Sequence, residues 1–292
     1  MRGRARARYR RAAGQHRPRG GVLTGVVTIV QARYGSTRLP GKVLRPLGAG
    51  SVLDFMLTRV KASRLAGTIV VATTTNVEDD AIEVIASRSG VPCFRGHPTD
   101  LLDRHYQTAL LLGAAHVVKI PSDCPLIDPS VINAVIAAYL ARRSQLDFVS
   151  NLHPPTHPDG NDVEIMSFAT LETAWRESIR PFEREHTTPF IWNRPDRFRI
   201  ANVAWNARRD CSFSHRVVLD YPADYDVICD VHAALAARDP LFSVEDVVRY
   251  LDSHPHVRDR NAAHRGVSWY RDHLDELPAL SMRRRPDAAR AS

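Results

Sequence analysis

The feature that most restricts the fold is an alternation of apolar runs with amphipathic stretches between residues 26 and 151. Residues 26–32 form a nearly continuous β-branched run, the pattern of a strand covered on both faces. Residues 51–63 follow, with Leu53, Met56, Leu57 and Val60 at helical spacing. The same reading gives strands at 68–73, 92–95, 116–121 and 148–151, and helices at 78–89, 100–112 and 129–142. Pro129 suits the first turn of the last helix. Strands alternating with helices across short loops build a mostly parallel sheet with helices on both faces, a Rossmann-like α/β architecture.

The rhythm changes after residue 151. "HPPTHPDG" is turn-rich, and "NDVEIMSF" reads as a more exposed strand. "SFATLETAWRES" and "EREHTTPFIWN" read as two helices and "HRVVLD" as a strand. "PADYDVICDVHAALAA" is a helix that Pro222 opens, and "SVEDVVRYLDS" one that Ser243 caps. No repeat and no long linker divides the chain. It is expected to form one domain over 25–255, with 152–200 as a small inserted lobe. A basic tail over 1–24, expected to be disordered, precedes it, and a C-terminal extension over 256–292 with a basic end follows.

The net charge of +8 suggests a nucleic-acid partner until it is located. Residues 1–20 hold eight arginines and no acid, and residues 283–290 hold four more beside Asp287, which leaves the body between them net acidic. A nucleic-acid enzyme carries its cations on the folded face that grips phosphate. The expectation is therefore no nucleic-acid partner, and either a tethering arm or an unselected extension at the N-terminus. No apolar run reaches the ~20 residues of a membrane span. Cys93, Cys124, Cys211 and Cys229 are scattered without a CxxC pair, which fits reduced thiols in the cytoplasm.

The first strand runs directly into "QARYGSTRLPGK", residues 31–42. Ligands of open parallel sheets sit beyond the carboxyl ends of the strands, where strand order reverses. Gly35 and Gly41 allow close backbone approach, and Arg33, Arg38 and Lys42 supply cations, so the loop is suited to wrap an anion. It matches neither GxGxxG nor GxxxxGK[ST]. Only Lys42, Lys61 and Lys119 among the 40 basic residues are lysines, so a lysine retained inside this loop is informative.

"QARYGSTRLPGKVLRPL" resembles the signature of cytidylyltransferases that make CMP-activated acidic sugars, in particular the subgroup named for spore-coat polysaccharide biosynthesis protein F. "IVVATTTNVEDDAIE", "VPCFRGHPTDLLDRHYQTA", "VVKIPSDCPLIDP", "DFVSN", "HPDGNDVEIMS", "REHTTPFI" and "VVLDYPADYDVI" follow in that family's order, from about residue 26 to about 251. The resemblance implies the nucleotide-diphospho-sugar transferase type of fold and transfer of CMP from CTP to an anionic small-molecule acceptor, releasing pyrophosphate. It also implies a homodimer, Mg²⁺ as cofactor, and the segment 152–200 as the acceptor and dimer lobe.

Carried over residue by residue, the resemblance implies that Arg33, Arg38 and Lys42, with Gly35 and Ser36, cradle the triphosphate. Gln31 and Ala32 would meet base and ribose. Arg33, Lys42 and Asp123 are the expected catalytic residues, with Asp123 and Asp220 as metal ligands. Two protein carboxylates plus substrate phosphates is a usual way to hold Mg²⁺. Asp123 is alternatively an Asx turn, and Asp220 a helix cap before Pro222. Thr73, Arg95 and Asp100 are expected at the base, although Asp100 also suits a helix cap. Asp159, Asn161, Glu164, Arg184 and His186 are expected on the acceptor side; Asn161 departs from the hydrophobic residue usual before "DVE". Three other readings stay open at this point: CMP transfer to a small phosphonate, a sugar-1-phosphate nucleotidyltransferase or glycosyltransferase on the same fold, and a non-catalytic nucleotide-binding protein.

Overall fold

The computed structural model describes residues 25–205 and 209–266. The tail expected over 1–24, and the extension from 267 onward, lie outside the described residues. Strand β1 (Val26–Gln31) lies at the centre of a seven-stranded sheet. It pairs in parallel with β4 (Thr68–Thr74) on one side and with β6 (His116–Pro121) on the other. A small antiparallel pair, β2 (Pro46–Leu47) and β3 (Gly50–Ser51), lies between β1 and β4 in sequence. β5 (Cys93–Gly96) forms the edge beyond β4. The chain moves from β1 first to one flank and later to the other, so the strand order reverses at the carboxyl end of β1, where the cation-rich loop begins.

Alternate side chains of β1 enter different cores. Val26 and Val30 pack with α1 (Val52–Ala62), α2 (Asp80–Arg88) and α4 (Pro129–Leu140). Val27 and Ile29 pack with α3 (Leu101–Leu112), α5 (Phe168–Glu177), α6 (Pro181–His186) and α7 (Pro189–Trp192). This two-sided cover explains why the strand is apolar throughout instead of alternating. A third cluster joins α8 (Pro222–Leu235), α9 (Val244–Ser253) and Val257 of α10 (Pro255–Arg258) to Leu39 of the opening loop.

Three expectations are corrected. The strand expected to be more exposed is β8 (Glu164–Ser167), and it is buried: it lies antiparallel between β6 and β7 (Phe148–Ser150), which itself pairs with the edge strand β9 (Ile200–Asn202). The helix expected from "EREHTTPFIWN" breaks into α6 and α7 at Thr187, whose φ of 73° lies in the left-handed region. Pro189 has no N–H to donate back along a continuous helix. "HRVVLD" is extended but forms no strand; Arg216 bridges to Asp159, and Leu219 N donates to Asp123 O (2.7 Å), so it stitches loops together.

Candidate active site

The loop after β1 is closed on itself. Tyr34 O accepts from Ser36 N (2.8 Å) and Gly41 N (2.9 Å), and Leu39 N donates to Ser36 Oγ (3.3 Å). Gly41 has φ 68°, and a Cβ there would lie 2.9 Å from the Tyr34 ring, so both conformation and space require glycine. The loop is tied to the sheet through buried Asp79, which accepts from Tyr34 N (2.6 Å), Thr74 N (3.2 Å) and Thr74 Oγ1.

This fold directs Lys42 inward. Its Nζ donates to Leu219 O (2.8 Å), Asp220 Oδ1 (2.9 Å) and Asp123 Oδ2 (3.4 Å), joining residues up to 178 positions apart. Arg38 Nη2 lies 2.9 Å from the same Asp220 oxygen. Burial pushes the Asp220 carboxyl up, but Lys42 and Arg38 outweigh it and hold it below the usual carboxylate range. Burial likewise opposes the charge on Lys42, and Asp123 and Asp220 overcome it.

The alternative roles of the two aspartates are taken by other groups. Tyr221 occupies the cap position of α8, and Asp224 accepts from Asp220 N (3.0 Å) and Tyr221 N (2.9 Å), leaving the Asp220 side chain to the cavity. Asp123 meets Lys42 and the Cys124 thiol (3.6 Å) rather than a turn amide.

A cavity of about 500 Å³ opens at this point. Of the expected nucleotide residues it is lined by Gln31, Ala32, Arg33, Ser36, Arg38 and Lys42, and of the expected acceptor residues by Asp159, Glu164 and His186; Asp123 and Asp220 lie between them. Arg216, 2 % exposed, grips both oxygens of Asp224 (2.8 and 2.9 Å) and donates to Asp159 Oδ2 (2.9 Å). Burial, with Asp123, Asp220 and Asp224 nearby, outweighs Arg216 and pushes the Asp159 carboxyl up to about 7. Burial beside Asp159 and Asp123 raises Asp162 as well.

Six expected residues are not brought to the cavity lining. Gly35 lies in the loop but outside that lining, and Thr73 is fully buried within β4. Arg95 closes a surface loop, donating to Thr74 O (2.9 Å) and Asn76 O (2.6 Å) and pairing with Asp80 and Glu83. Asp100 caps α3 through Asp103 N (2.8 Å) and pairs with Arg184 Nε (2.6 Å), so the two neutralise each other. Asn161 braces the backbone, its Oδ1 accepting from Asp128 N (3.1 Å) and its carbonyl from Asn151 Nδ2 (2.7 Å).

Among the charged residues of the lining, Arg104, Lys119, Asp162 and Arg216 were not anticipated. Lys119 on β6 faces Glu164 on β8 in register and pairs with it, while Thr188 Oγ1 donates to Glu164 Oε1 (2.7 Å). The scarcity of lysine that singles out Lys42 applies equally to Lys119, so that signal was present in the sequence.

Among the described residues, no three His, Cys, Asp or Glu side chains converge into a metal site by themselves, and no helix is long and apolar enough to cross a membrane. Asp123 and Asp220 nevertheless share one cationic nitrogen, an arrangement of hard oxygen donors that fits a divalent ion completed by ligand phosphates.

Comparison with known proteins places the chain in a family. The chain is 30% identical over 248 residues to an uncharacterised protein of Methanocaldococcus jannaschii, covering 84% of this chain and 97% of that protein. It is 28% identical over 238 residues to spore coat polysaccharide biosynthesis protein SpsF of Bacillus subtilis, covering 80% and 96%. The solved structure of a cytidylyltransferase from Leptospira borgpetersenii superposes with a TM-score of 0.76 at 30% identity, covering 84% of this chain and 99% of that one. A cytidylyltransferase family model matches residues 27–245, from the first residues of β1 into α9. A match of that extent makes this chain a member of the cytidylyltransferase family, an enzyme that transfers CMP from CTP.

Proposed function

We propose that this cytidylyltransferase transfers CMP to an anionic small-molecule acceptor, an acidic sugar destined for surface polysaccharide, and releases pyrophosphate. The observation that carries this reading is the convergence of Lys42, Asp123 and Asp220 at the carboxyl end of β1. Arg33, Arg38 and Lys42 are the groups suited to grip the triphosphate, and Gln31 and Ala32 line the side where base and ribose would lie. Asp123 and Asp220 would hold Mg²⁺, which neutralises phosphate charge when bound. The chain's own contribution is to hold the acceptor oxygen in line with the α-phosphorus and keep the leaving phosphates clamped.

Asp159 is suited to take up the proton that an acceptor hydroxyl loses, because burial beside neighbouring carboxylates pushes its carboxyl up to about 7. The name of the Bacillus subtilis relative supports a polysaccharide pathway. The same reading includes a cytoplasmic homodimer built on residues 152–200, where Ile179, 88 % exposed, is an apolar side chain that such an interface would cover.

The test is pyrophosphate release with CTP and Mg²⁺ across acidic sugars and small phosphonates. Turnover on a sugar acid, reduced at least about 100-fold in Asp123→Asn, is expected for loss of a group that stabilises transition-state charge. Turnover on phosphonates alone would move the acceptor to that class, since a phosphonate oxygen is already anionic and needs no base. Undiminished turnover in Asp123→Asn would remove the metal assignment.

A further inference from the structure

The two charged halves of the cavity neutralise each other in the free chain. An ammonium group has three N–H donors. Lys42 Nζ has three acceptors, Leu219 O at 2.8 Å, Asp220 Oδ1 at 2.9 Å and Asp123 Oδ2 at 3.4 Å, so its donors are fully engaged. Its side chain is only 12 % exposed, and Arg38 holds the same Asp220 oxygen at 2.9 Å. A phosphate oxygen can gain Lys42 only if a carboxylate loses it. A largely buried carboxylate stripped of its cation is strongly unfavourable unless another cation replaces it.

Building on the assignment of Asp123 and Asp220 as metal ligands, we propose that Lys42 is the resident counter-ion of the metal site, exchanged when nucleotide and metal enter. The triphosphate takes Lys42 and Arg38, and the divalent ion takes Asp123 and Asp220. Each ligand alone meets a site already filled by the protein's own charges, so the enzyme binds the metal–CTP complex as a unit and binds either component poorly. Because coupling between two ligands is reciprocal, relieving either half of the clamp must help the opposite ligand. Lys42 is then more than a phosphate contact, and Asp220 more than a metal contact.

Equilibrium binding to the full chain, with no acceptor present, tests this without turnover. Mn²⁺ is the metal probe, followed by the resonance of the free ion, and CTP is titrated calorimetrically in EDTA. Lys42→Gln is expected to bind Mn²⁺ without nucleotide at least about tenfold more tightly than the wild type, within the usual range of coupling between sites. Arg33→Gln removes the same charge from the same loop, but among the described residues the carboxylate that Arg33 reaches is Glu185, at 4.0 Å, and its Mn²⁺ affinity should match the wild type. Asp220→Asn is expected to bind CTP in EDTA more tightly than the wild type.

An equal gain in Arg33→Gln would reduce the effect to loop charge and overturn the exchange. Lys42→Gln binding Mn²⁺ no better than wild type, with Asp123→Asn binding it worse than both, would also overturn it while leaving the metal assignment standing. Asp123→Asn and Asp220→Asn matching wild type in Mn²⁺ binding, with and without CTP, would remove the metal assignment itself. If Lys42→Gln fails to fold, the Asp220→Asn titration decides, and unchanged CTP affinity in EDTA overturns the proposal.

Discussion

Among the described residues the Asp159 carboxylate is held from one side: Arg216 meets Oδ2 at 2.9 Å, while Asp123, Asp220 and Asp224 press their charges on it from elsewhere. Its folded pKa of about 7 lies above the ordinary 3.8. Between those values the folded chain keeps a proton that the unfolded chain has released, so this group's contribution to stability falls as pH rises through the interval and stays reduced above it. Asp159→Asn keeps an acceptor for Arg216 and removes the titration. Urea midpoints should show the variant stabilised over wild type at pH 8, with the gain fading toward pH 4; an equal gain at both would place its cause outside the ionisation.

Residues of this kind were unevenly legible in the sequence. Arg33, Arg38 and Lys42 stand out because a cluster of cations directly after an apolar strand has few structural uses, whereas Asp123 and Asp220 came from the family resemblance, each with a turn or a cap as a structural alternative. Arg95, Asp100 and Arg184 drew attention for the same polarity, and the fold uses them for loop closure and helix capping instead. Lys119 and Arg216 acquire their partners only once the strand order is known, since Lys119 meets Glu164 across 45 residues.

At the scale of elements, the opening loop depends on one carboxylate in the turn before α2. Asp79 collects the amides of Tyr34 and Thr74 and the Thr74 hydroxyl, coupling the loop to β4. Each buried donor left without an acceptor costs about 1–3 kcal/mol. Asp79→Ala is expected to lower the unfolding free energy by at least that much and to weaken CTP binding, although Asp79 does not line the cavity. Asp79→Asn, which retains an oxygen acceptor, should recover part of both. Denaturant unfolding and CTP titration check this; unchanged CTP affinity in Asp79→Ala would mean that the loop holds its shape through Leu39 and Gly41 alone. Strand–helix alternation was readable throughout this half because each element repeats its own period. The break at Thr187 was not, because "EREHTTPFIWN" keeps a helical look across Pro189.

For the whole molecule, β1 is flanked on both edges and covered on both faces, with Ile29 and Val30 fully buried. Amide hydrogen exchange should therefore be slowest in β1 and faster in the sheet-edge strands β5 and β9. Faster exchange in β1 than at those edges would contradict its central place. The antiparallel entry of β8 was the least legible feature of the architecture, because a strand's neighbours are set by tertiary packing and not by its own periodicity.

That entry also orders events during synthesis. β7 leaves the ribosome before β8, yet β7 reaches the rest of the sheet only through β8, while β9 must wait for β7. The parallel half, built from β1, β4, β5 and β6, can assemble as it emerges, whereas Glu164 and its neighbours come into position only when a later strand slides between two earlier ones. A nascent chain thus completes the strand that carries the cation-rich loop well before Glu164, or the Asp220 that holds Lys42, can reach it.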